Sequence, residues 1–201
     1  MKLIKREYLQ DLIELVGTPD IKVITGVRRS GKSKLLEMFK RYIIENIENY
    51  NIIDINFNLV KFDNLRDYMA LNNYIEENYI EGKINFVLID EVQMCKDFER
   101  TINSIHAEEK YDIYITGSNA FLLSSDLATL FTGRTYEIQI YPFSFKEFMQ
   151  YFNCDNAQEA FDKYMFEGGM SGSYIYDDDK KKLNYINEVY NALIIRDIQQ
   201  K

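Results

Sequence analysis

The chain has 201 residues, 46% of them hydrophobic and 28% charged, and a formal net charge of −8 at pH 7. This length and composition predict a globular protein of one domain, or of one domain with a small appendage. The acidic balance argues against a broad nucleic-acid surface, which requires a basic face.

Apolar periodicity predicts alternating helices and strands over residues 1–141. A helical pattern runs from Leu3 to Val16 and closes at Gly17. A β-branched run at 21–25 predicts a buried strand, and a helix follows from Lys32. Further strands are predicted at 51–57, 85–91, 111–118 and 135–141, with helical segments at 64–80, at 99–110 and near Leu122. This alternation predicts an α/β fold, with a mostly parallel sheet between two layers of helices.

The pattern changes after Pro142 and becomes helical. Ser144 and Glu147 form a capping box, a second helix is expected over 157–166, and a third begins near Asp179. We therefore predict an α/β core at 1–141 and a small helical unit at 142–201. The amphipathic pattern still runs at the last residue, which indicates a truncated chain. A genuine C-terminal helix is the alternative.

The segment GVRRSGKS, residues 26–33, fits the phosphate-loop pattern of glycine, four residues, glycine, lysine, and serine or threonine. Its glycines let backbone N–H groups curl around an anion, and the next helix points its positive end at the same place. Lys32 is expected to reach the β- and γ-phosphates, and the Ser33 hydroxyl to hold Mg²⁺. A chance match is the alternative, but the predicted strand before the loop and the helix after it supply the required context.

The loop and the first residues of the helix form the predicted nucleotide-binding set, in which the two arginines receive no individual role. Its members are Gly26, Val27, Arg28, Arg29, Ser30, Gly31, Lys32, Ser33 and Lys34.

Two carboxylates end the strand VLIDE. Asp90 closes the apolar run, so it should emerge at the carboxyl edge of the sheet, where α/β folds bind ligands, and there it can hold Mg²⁺. Glu91 follows and can orient or deprotonate a water aimed at the γ-phosphate. A merely solvated acidic strand end is the alternative, which the nearby lysine–serine pair makes less attractive.

Small polar residues end the next strand, YITGSNA. Thr116, Ser118 and Asn119 are candidates for contacting the γ-phosphate or the attacking water, although Gly-Ser-Asn is also good turn chemistry. Arg134 precedes the last strand. Its guanidinium could stabilise transition-state charge in its own subunit or in a neighbour, or it could be an ordinary surface arginine.

Other polar features favour structural roles. His106 is expected to be packed or solvated, and Asp177 to Asp179 precede a helix that they are expected to cap. Cys95 and Cys154 lack a paired motif, which argues against a disulfide framework. No signal-peptide core or membrane-spanning apolar run is evident, so we expect a cytoplasmic protein without a membrane partner.

Together these residues resemble the AAA-type ATPases (the AAA+ superfamily of P-loop NTPases) of bacteria and archaea. The chain is most similar to the group whose ATPase core is usually followed by a separate domain of unknown function. The matching segments, in order, are VITGVRRSGKS, FVLIDEVQ, YITGSNAFLL, TGRTYEIQIYPFSFKEF and FEGGMSG. One departure is the absence of the proline that often follows the Gly-Gly pair, where Met170 and Ser171 stand instead.

The resemblance implies an additional strand between the phosphate-loop strand and the acidic strand, and a lid formed by the segment after Pro142. It also implies that Lys32 and Ser33 contact the phosphates and Mg²⁺, and that Asp90 is the Mg²⁺ partner. Glu91 would be the catalytic base, and the polar segment near Ser118–Asn119 would be the sensor.

The favoured function is ATP binding with Mg²⁺-dependent hydrolysis that drives or resets a conformational change. The alternative is a slow or non-hydrolysing switch that regulates a missing C-terminal domain. A homo-oligomer with Arg134 acting in trans is an expected partner arrangement. A small-molecule kinase is disfavoured because only Arg134 and Arg196 lie beyond the third buried strand. The acidic balance argues against broad contact between this fragment and DNA, although a missing C-terminal domain could make such contact.

Overall fold

A parallel sheet forms the centre of the molecule. The computed structural model describes residue 4, residues 6–117, residue 131 and residues 133–195, and within these ranges the sheet has five strands. They are β1 Ile21–Gly26, β2 Tyr50–Asn56, β3 Ile84–Asp90, β4 Tyr111–Thr116 and β5 Thr135–Ile140. Their order is β2-β3-β4-β1-β5, and every pairing is parallel. The predicted fold class is confirmed, and β4 is the additional strand between β1 and β3.

Helices cover both faces of this sheet. They are α1 Tyr8–Glu14, α2 Lys32–Asn46, α3 Tyr68–Glu77 and α4 Phe98–Ala107. Helix α1 is shorter than its apolar pattern, because Ile4 joins a separate core cluster and Arg6 bonds to other elements. The helix predicted over 64–80 is divided: a 3₁₀ turn ends at Leu65, and Asp67 then caps α3 by accepting from the Met69 N–H. The helix predicted near Leu122 lies outside the described residues.

The buried side chains of the sheet divide between two cores. On one face Val23, Ile89 and Ile115 pack with Phe98 and Ile102. On the other face a second set packs against α1 and α2; its members include Ile24, Phe86, Leu88, Tyr114, Leu35, Phe39 and Leu12. Because neighbouring strand residues point to opposite faces, a continuous apolar strand such as β3 contributes to both cores.

Within the described residues three α-helices follow β5: α5 Phe145–Phe152, α6 Ala157–Glu167 and α7 Asp179–Leu193. The predicted capping box is present, since the Ser144 side chain accepts from the Glu147 N–H while the Glu147 carboxylate accepts from the Ser144 N–H. The Asp178 side chain caps α7 by accepting from the Lys181 N–H, as the capping hypothesis requires. A third core contains Phe148 of α5, Tyr174 of the 3₁₀ turn Ser171–Ile175, Phe143 and Ile4, and the ring centroids of Phe148 and Tyr174 are 5.5 Å apart.

Cys95, Cys154 and His106 have structural surroundings. Both cysteines are free of disulfides, and burial raises the pKa of the Cys95 thiol to about 12, helped by the charge of Asp67. A ring nitrogen of His106 lies 2.9 Å from the Pro19 carbonyl oxygen, which is a structural hydrogen bond.

A buried ion pair closes the amino end of β1 and β4. The Lys22 ammonium donates to Asp112 Oδ1 at 2.6 Å and to the Thr18 carbonyl at 2.6 Å, and its side chain has 0% exposure. The other carboxylate oxygen, Oδ2, accepts from the Gly17 N–H at 2.9 Å. Burial raises the pKa of the neighbouring Tyr114, and the charge of Asp112 raises it further. This end of the sheet is therefore fixed by charge as well as by packing.

Replacing Asp112 with asparagine should destabilise the fold by about 3 kcal/mol, because it leaves the Lys22 ammonium buried without a counter-charge. Urea unfolding followed by circular dichroism measures the change. The matched control is Asp54→Asn, which breaks an exposed pair with Lys40 and should cost no more than about 1 kcal/mol. Equal effects of the two substitutions would contradict a structural role for the buried pair.

Candidate nucleotide-binding site

The phosphate loop and the acidic strand end lie at the same edge of the sheet. The loop leaves β1 at Gly26, and β3 ends at Asp90 with Glu91 next. Only β4 separates these strands, so their ends are about 10 Å apart at ~4.8 Å per strand spacing. The two halves of the predicted site therefore meet where parallel α/β sheets bind ligands.

Close packing explains the glycines of the loop. A Cβ on Gly26 would lie 2.4 Å from the Ile140 carbonyl oxygen, a distance that no side chain tolerates. Gly31 has φ 105° and precedes α2 directly, a conformation that favours glycine. The loop is therefore held against the end of β5 and turns sharply into the helix.

The lysine of the loop lies inside it. Lys32 is 4% exposed, and its Nζ donates to the carbonyl oxygens of Gly26 and Val27 at 2.8 and 3.2 Å. The amides that open α2 have no carbonyl four residues back within the helix, so they are suited to an external acceptor. The loop thus combines a buried cation with the positive end of a helix, which is the electrostatic requirement for binding phosphate.

Ser30 of the loop is buried, whereas other side chains of the predicted set lie at the surface. Arg28, Ser33 and Lys34 are exposed, and the Lys34 ammonium pairs with Glu37 at 2.6 Å, so its charge is engaged along the helix. The guanidinium of Arg29 lies 5.0 Å from the centroid of the Tyr185 ring on α7. The loop therefore contacts α7, one of the helices that follow β5.

Arg6 is a member of the site that the sequence analysis missed. It is 4% exposed, and its guanidinium donates to the carbonyl oxygens of Ser30 at 2.6 Å and Tyr141 at 2.7 Å. It also forms a bidentate pair with Glu147, at 2.8 and 3.2 Å. An arginine in an amphipathic pattern is expected to be solvated. The neighbouring residues do not indicate that Arg6 is buried, because its partners lie 24 to 141 residues away in the sequence.

Asp90 is buried at the end of β3 and is oriented by a threonine from β4. The Thr116 hydroxyl donates to Asp90 Oδ1 at 2.6 Å and accepts from the Glu91 N–H at 3.0 Å. Thr116 itself is fully buried, so it orients the acids, whereas the sequence suggested a phosphate contact. The second oxygen of Asp90, Oδ2, is buried and has no hydrogen-bond partner among the described residues.

Glu91 begins a sharp turn. Its backbone is left-handed, with φ 59°, and its Oε2 accepts a short hydrogen bond from the Gln93 amide, two residues along. Gln93 thereby fixes one oxygen of the carboxylate, while its own Oε1 is buried without a partner in the described part of the chain. The chain therefore leaves the extended conformation of β3 at Glu91, and this turn sets the direction of the Glu91 side chain.

The structure does not bring Arg134 to this site within one subunit. The Arg134 carbonyl accepts from the Ile21 N–H at 2.9 Å, so it lies where β1 and β5 begin. Residue 134 precedes Ile140 by six positions, which is about 20 Å of strand at ~3.3 Å per residue. This distance disfavours action in its own subunit. Its side chain is exposed, and the interpretation in trans stays a prediction.

Two predicted members cannot be compared with the structure. Ser118 and Asn119 lie outside the described residues, so their proposed sensor role stays a prediction.

Among the residues that are described, no cluster of three or more histidine, cysteine or acidic side chains could hold a metal ion by itself. Nor does any helix in those ranges have the length and apolar character needed to cross a membrane.

The fold and the site together define the class of protein. A parallel sheet in the order β2-β3-β4-β1-β5, with a phosphate loop after β1 and paired acids after β3, is that of an AAA+ P-loop ATPase-type protein. Residues 18–149 match the family described as "AAA domain", and the chain belongs to this family.

Two similar proteins align with nearly the whole chain. A Haemophilus influenzae protein, described as uncharacterized, is 38% identical over 206 aligned residues, which cover 99% of this chain and 51% of the relative. An uncharacterized protein of Methanocaldococcus jannaschii is 26% identical, with coverages of 98% and 46%. The chain thus spans about half the length of these relatives.

Solved structures share the fold at low identity. AMPPCP-bound DnaA from Aquifex aeolicus matches with a TM-score of 0.51 and 16% identity, over 96% of this chain and 63% of that one. The S. cerevisiae Hsp104–ADP complex matches with a TM-score of 0.59 and 14% identity, over 76% and 24%. These likenesses confirm the fold class.

Replacing Thr116 with valine should destabilise the protein by about 1–3 kcal/mol, because Asp90 Oδ1 and the Glu91 N–H both lose a buried partner. Thr116→Ser keeps the hydroxyl and should recover most of the loss. Chemical denaturation of the three proteins measures the difference. If valine and serine behave alike, the hydroxyl does not hold the acids.

Proposed function

We propose that this chain binds ATP at the phosphate loop with Mg²⁺ and hydrolyses it. One observation carries the proposal: a buried oxygen of Asp90 has no partner among the described residues, at the sheet edge that also carries the loop. Leaving a buried carboxylate oxygen without a partner is costly. A cation at this place would supply the missing interaction.

The loop is built to receive the phosphates. Lys32 is satisfied by two loop carbonyls, and we expect its ammonium to transfer to phosphate oxygens when a nucleotide binds. Charge-assisted hydrogen bonds to an anion are stronger than those to neutral carbonyls, so this exchange favours binding. The helix N-terminus contributes in the same direction.

Asp90 and Ser33 would hold the Mg²⁺ ion, since oxygen ligands are those that Mg²⁺ prefers. The ion, when bound, would neutralise charge on the transferred phosphate. The chain's own contribution is to fix these ligands: Thr116 orients Asp90, and the first turn of α2 presents Ser33 at the surface of the loop.

Glu91 is the residue suited to act on water. It follows Asp90 directly and is half-buried, so it lies beside the proposed phosphate position without being fully excluded from solvent. We expect it to accept a proton from the attacking water, or to orient that water. Asn119 and Ser118, which follow β4 in the sequence, are proposed to sense the γ-phosphate.

The second candidate is a nucleotide-dependent switch with slow or no turnover. The hydrogen bond from Gln93 favours it, because a carboxylate oxygen that already accepts from an amide is less available to contact a water. In this alternative, nucleotide binding would reposition the helical segment 142–201, which we propose is a lid. A further part of the protein would respond to the new position of the lid. The length of the relatives leaves room for such a part.

Glu91→Gln and Lys32→Ala separate the two candidates. For an enzyme, Glu91→Gln should lower turnover by about 100-fold or more while ATP binding persists. Lys32→Ala should abolish binding. Multiple-turnover phosphate release and titration with a fluorescent ATP analogue measure the two quantities. Tight binding by wild-type protein without turnover would establish the switch, and near-normal binding by Lys32→Ala would refute the site.

Arg134 gives a test of assembly. If it acts on a neighbouring subunit, Arg134→Ala should lower turnover without lowering ATP affinity, and adding Glu91→Gln subunits, which keep Arg134, should restore part of the activity. The matched control is Arg100→Ala, which removes an exposed arginine stacked on Tyr68 and should leave turnover unchanged. Wild-type turnover in Arg134→Ala would return this residue to an ordinary surface role.

A further inference from the structure

Arg6 connects three parts of the molecule that meet beside the phosphate loop. Its guanidinium reaches the Ser30 carbonyl within the loop, the Tyr141 carbonyl after β5, and the Glu147 carboxylate in the first turn of α5. The first of these bonds, at 2.6 Å, is the shortest. None of these partners belongs to α1, which Arg6 precedes.

The bond to Ser30 fixes the orientation of one loop peptide. A peptide unit is planar and trans, so its carbonyl and the following N–H point in opposite directions. Because the Ser30 carbonyl points at Arg6, the N–H of Gly31 points away from it. A side chain at Gly31 would be strained, because the residue has φ 105° and a Cβ would make a tight contact of 3.2 Å with Arg6 Nη1.

The guanidinium is itself tightly held. Arg6 and Glu147 are 4% and 5% exposed, and the pair is bidentate. The planar fork of arginine can serve two carbonyls and a carboxylate at once, whereas a lysine ammonium cannot reproduce this geometry. The rings of Tyr8 and Phe143 lie 5.0 and 5.2 Å from the guanidinium and restrict it further.

We propose that Arg6 is a positioning residue for nucleotide binding: it holds the Ser30 peptide so that the Gly31 amide faces the phosphates. Its pair with Glu147 makes this orientation depend on where α5 begins, so loop and helix are set together. This inference rests on the proposed function of the loop. It adds a residue outside the loop motif to the machinery that recognises the phosphate.

Two variants test the inference while limiting the risk of misfolding. Arg6→Lys keeps the charge but loses the fork. The double variant Arg6→Met/Glu147→Met removes both charges, so that neither is left buried and unpaired. Both should weaken binding of ATPγS by about tenfold in calorimetric titration with Mg²⁺. Both should also speed hydrogen exchange in the loop segment 27–36 and leave exchange in β4 unchanged.

Ser144→Ala is the matched control. It removes the hydroxyl of the capping box, which accepts from the Glu147 N–H and donates to Glu147 Oε2 at 3.2 Å. Both bonds from Arg6 to Glu147 and the bond from the Ser144 N–H stay in place, so the variant should lower thermal stability without weakening ATPγS binding. Wild-type affinity and unchanged loop exchange in both Arg6 variants would overturn the inference while the proposed function stands. A wild-type chain that does not bind ATPγS would refute the proposed function and, with it, this inference.

Discussion

Parallel pairing of the strands is the constraint on which the rest of this structure depends. It brings the carboxyl ends of β1, β3 and β4 to one edge, so residues that are distant in sequence become neighbours. The loop after Gly26, the acids after Leu88–Ile89 and the hydroxyl of Thr116 meet for this reason. The same constraint sends Arg134 to the opposite edge, because it precedes its strand.

Buried charge is distributed unequally between these two edges. At the amino edge, Lys22 and Asp112 satisfy one another together with backbone partners, which makes that edge a closed structural element. At the carboxyl edge Asp90 keeps one oxygen without a partner among the described residues. A satisfied pair stabilises the fold, whereas an unsatisfied group is a cost that ligand binding can remove. This difference favours one edge as the functional one.

The helices after β5 are connected to the loop by polar contacts as well as by chain continuity. Arg6 joins Ser30 to Glu147, and Arg29 lies against Tyr185 on α7. These contacts give the proposed lid a direct physical connection to the phosphate site. A change in loop geometry on nucleotide binding would alter both contacts, and such a connection is what a nucleotide-driven conformational change requires.

Local patterns were sufficient for much of this protein. The strands, the capping box of α5, the phosphate loop and the acids after β3 each occupy a short stretch whose residue types have a direct backbone or charge requirement, so they could be predicted from the sequence. Arg6, Thr116 and Gln93 could not be placed in the same way. The partners of Arg6 and Thr116 lie on other elements, and that of Gln93 lies across a left-handed turn, so only the packed chain brings these groups together. Hydrogen bonds between distant residues leave no periodic trace in the sequence, which is why folding had to decide them.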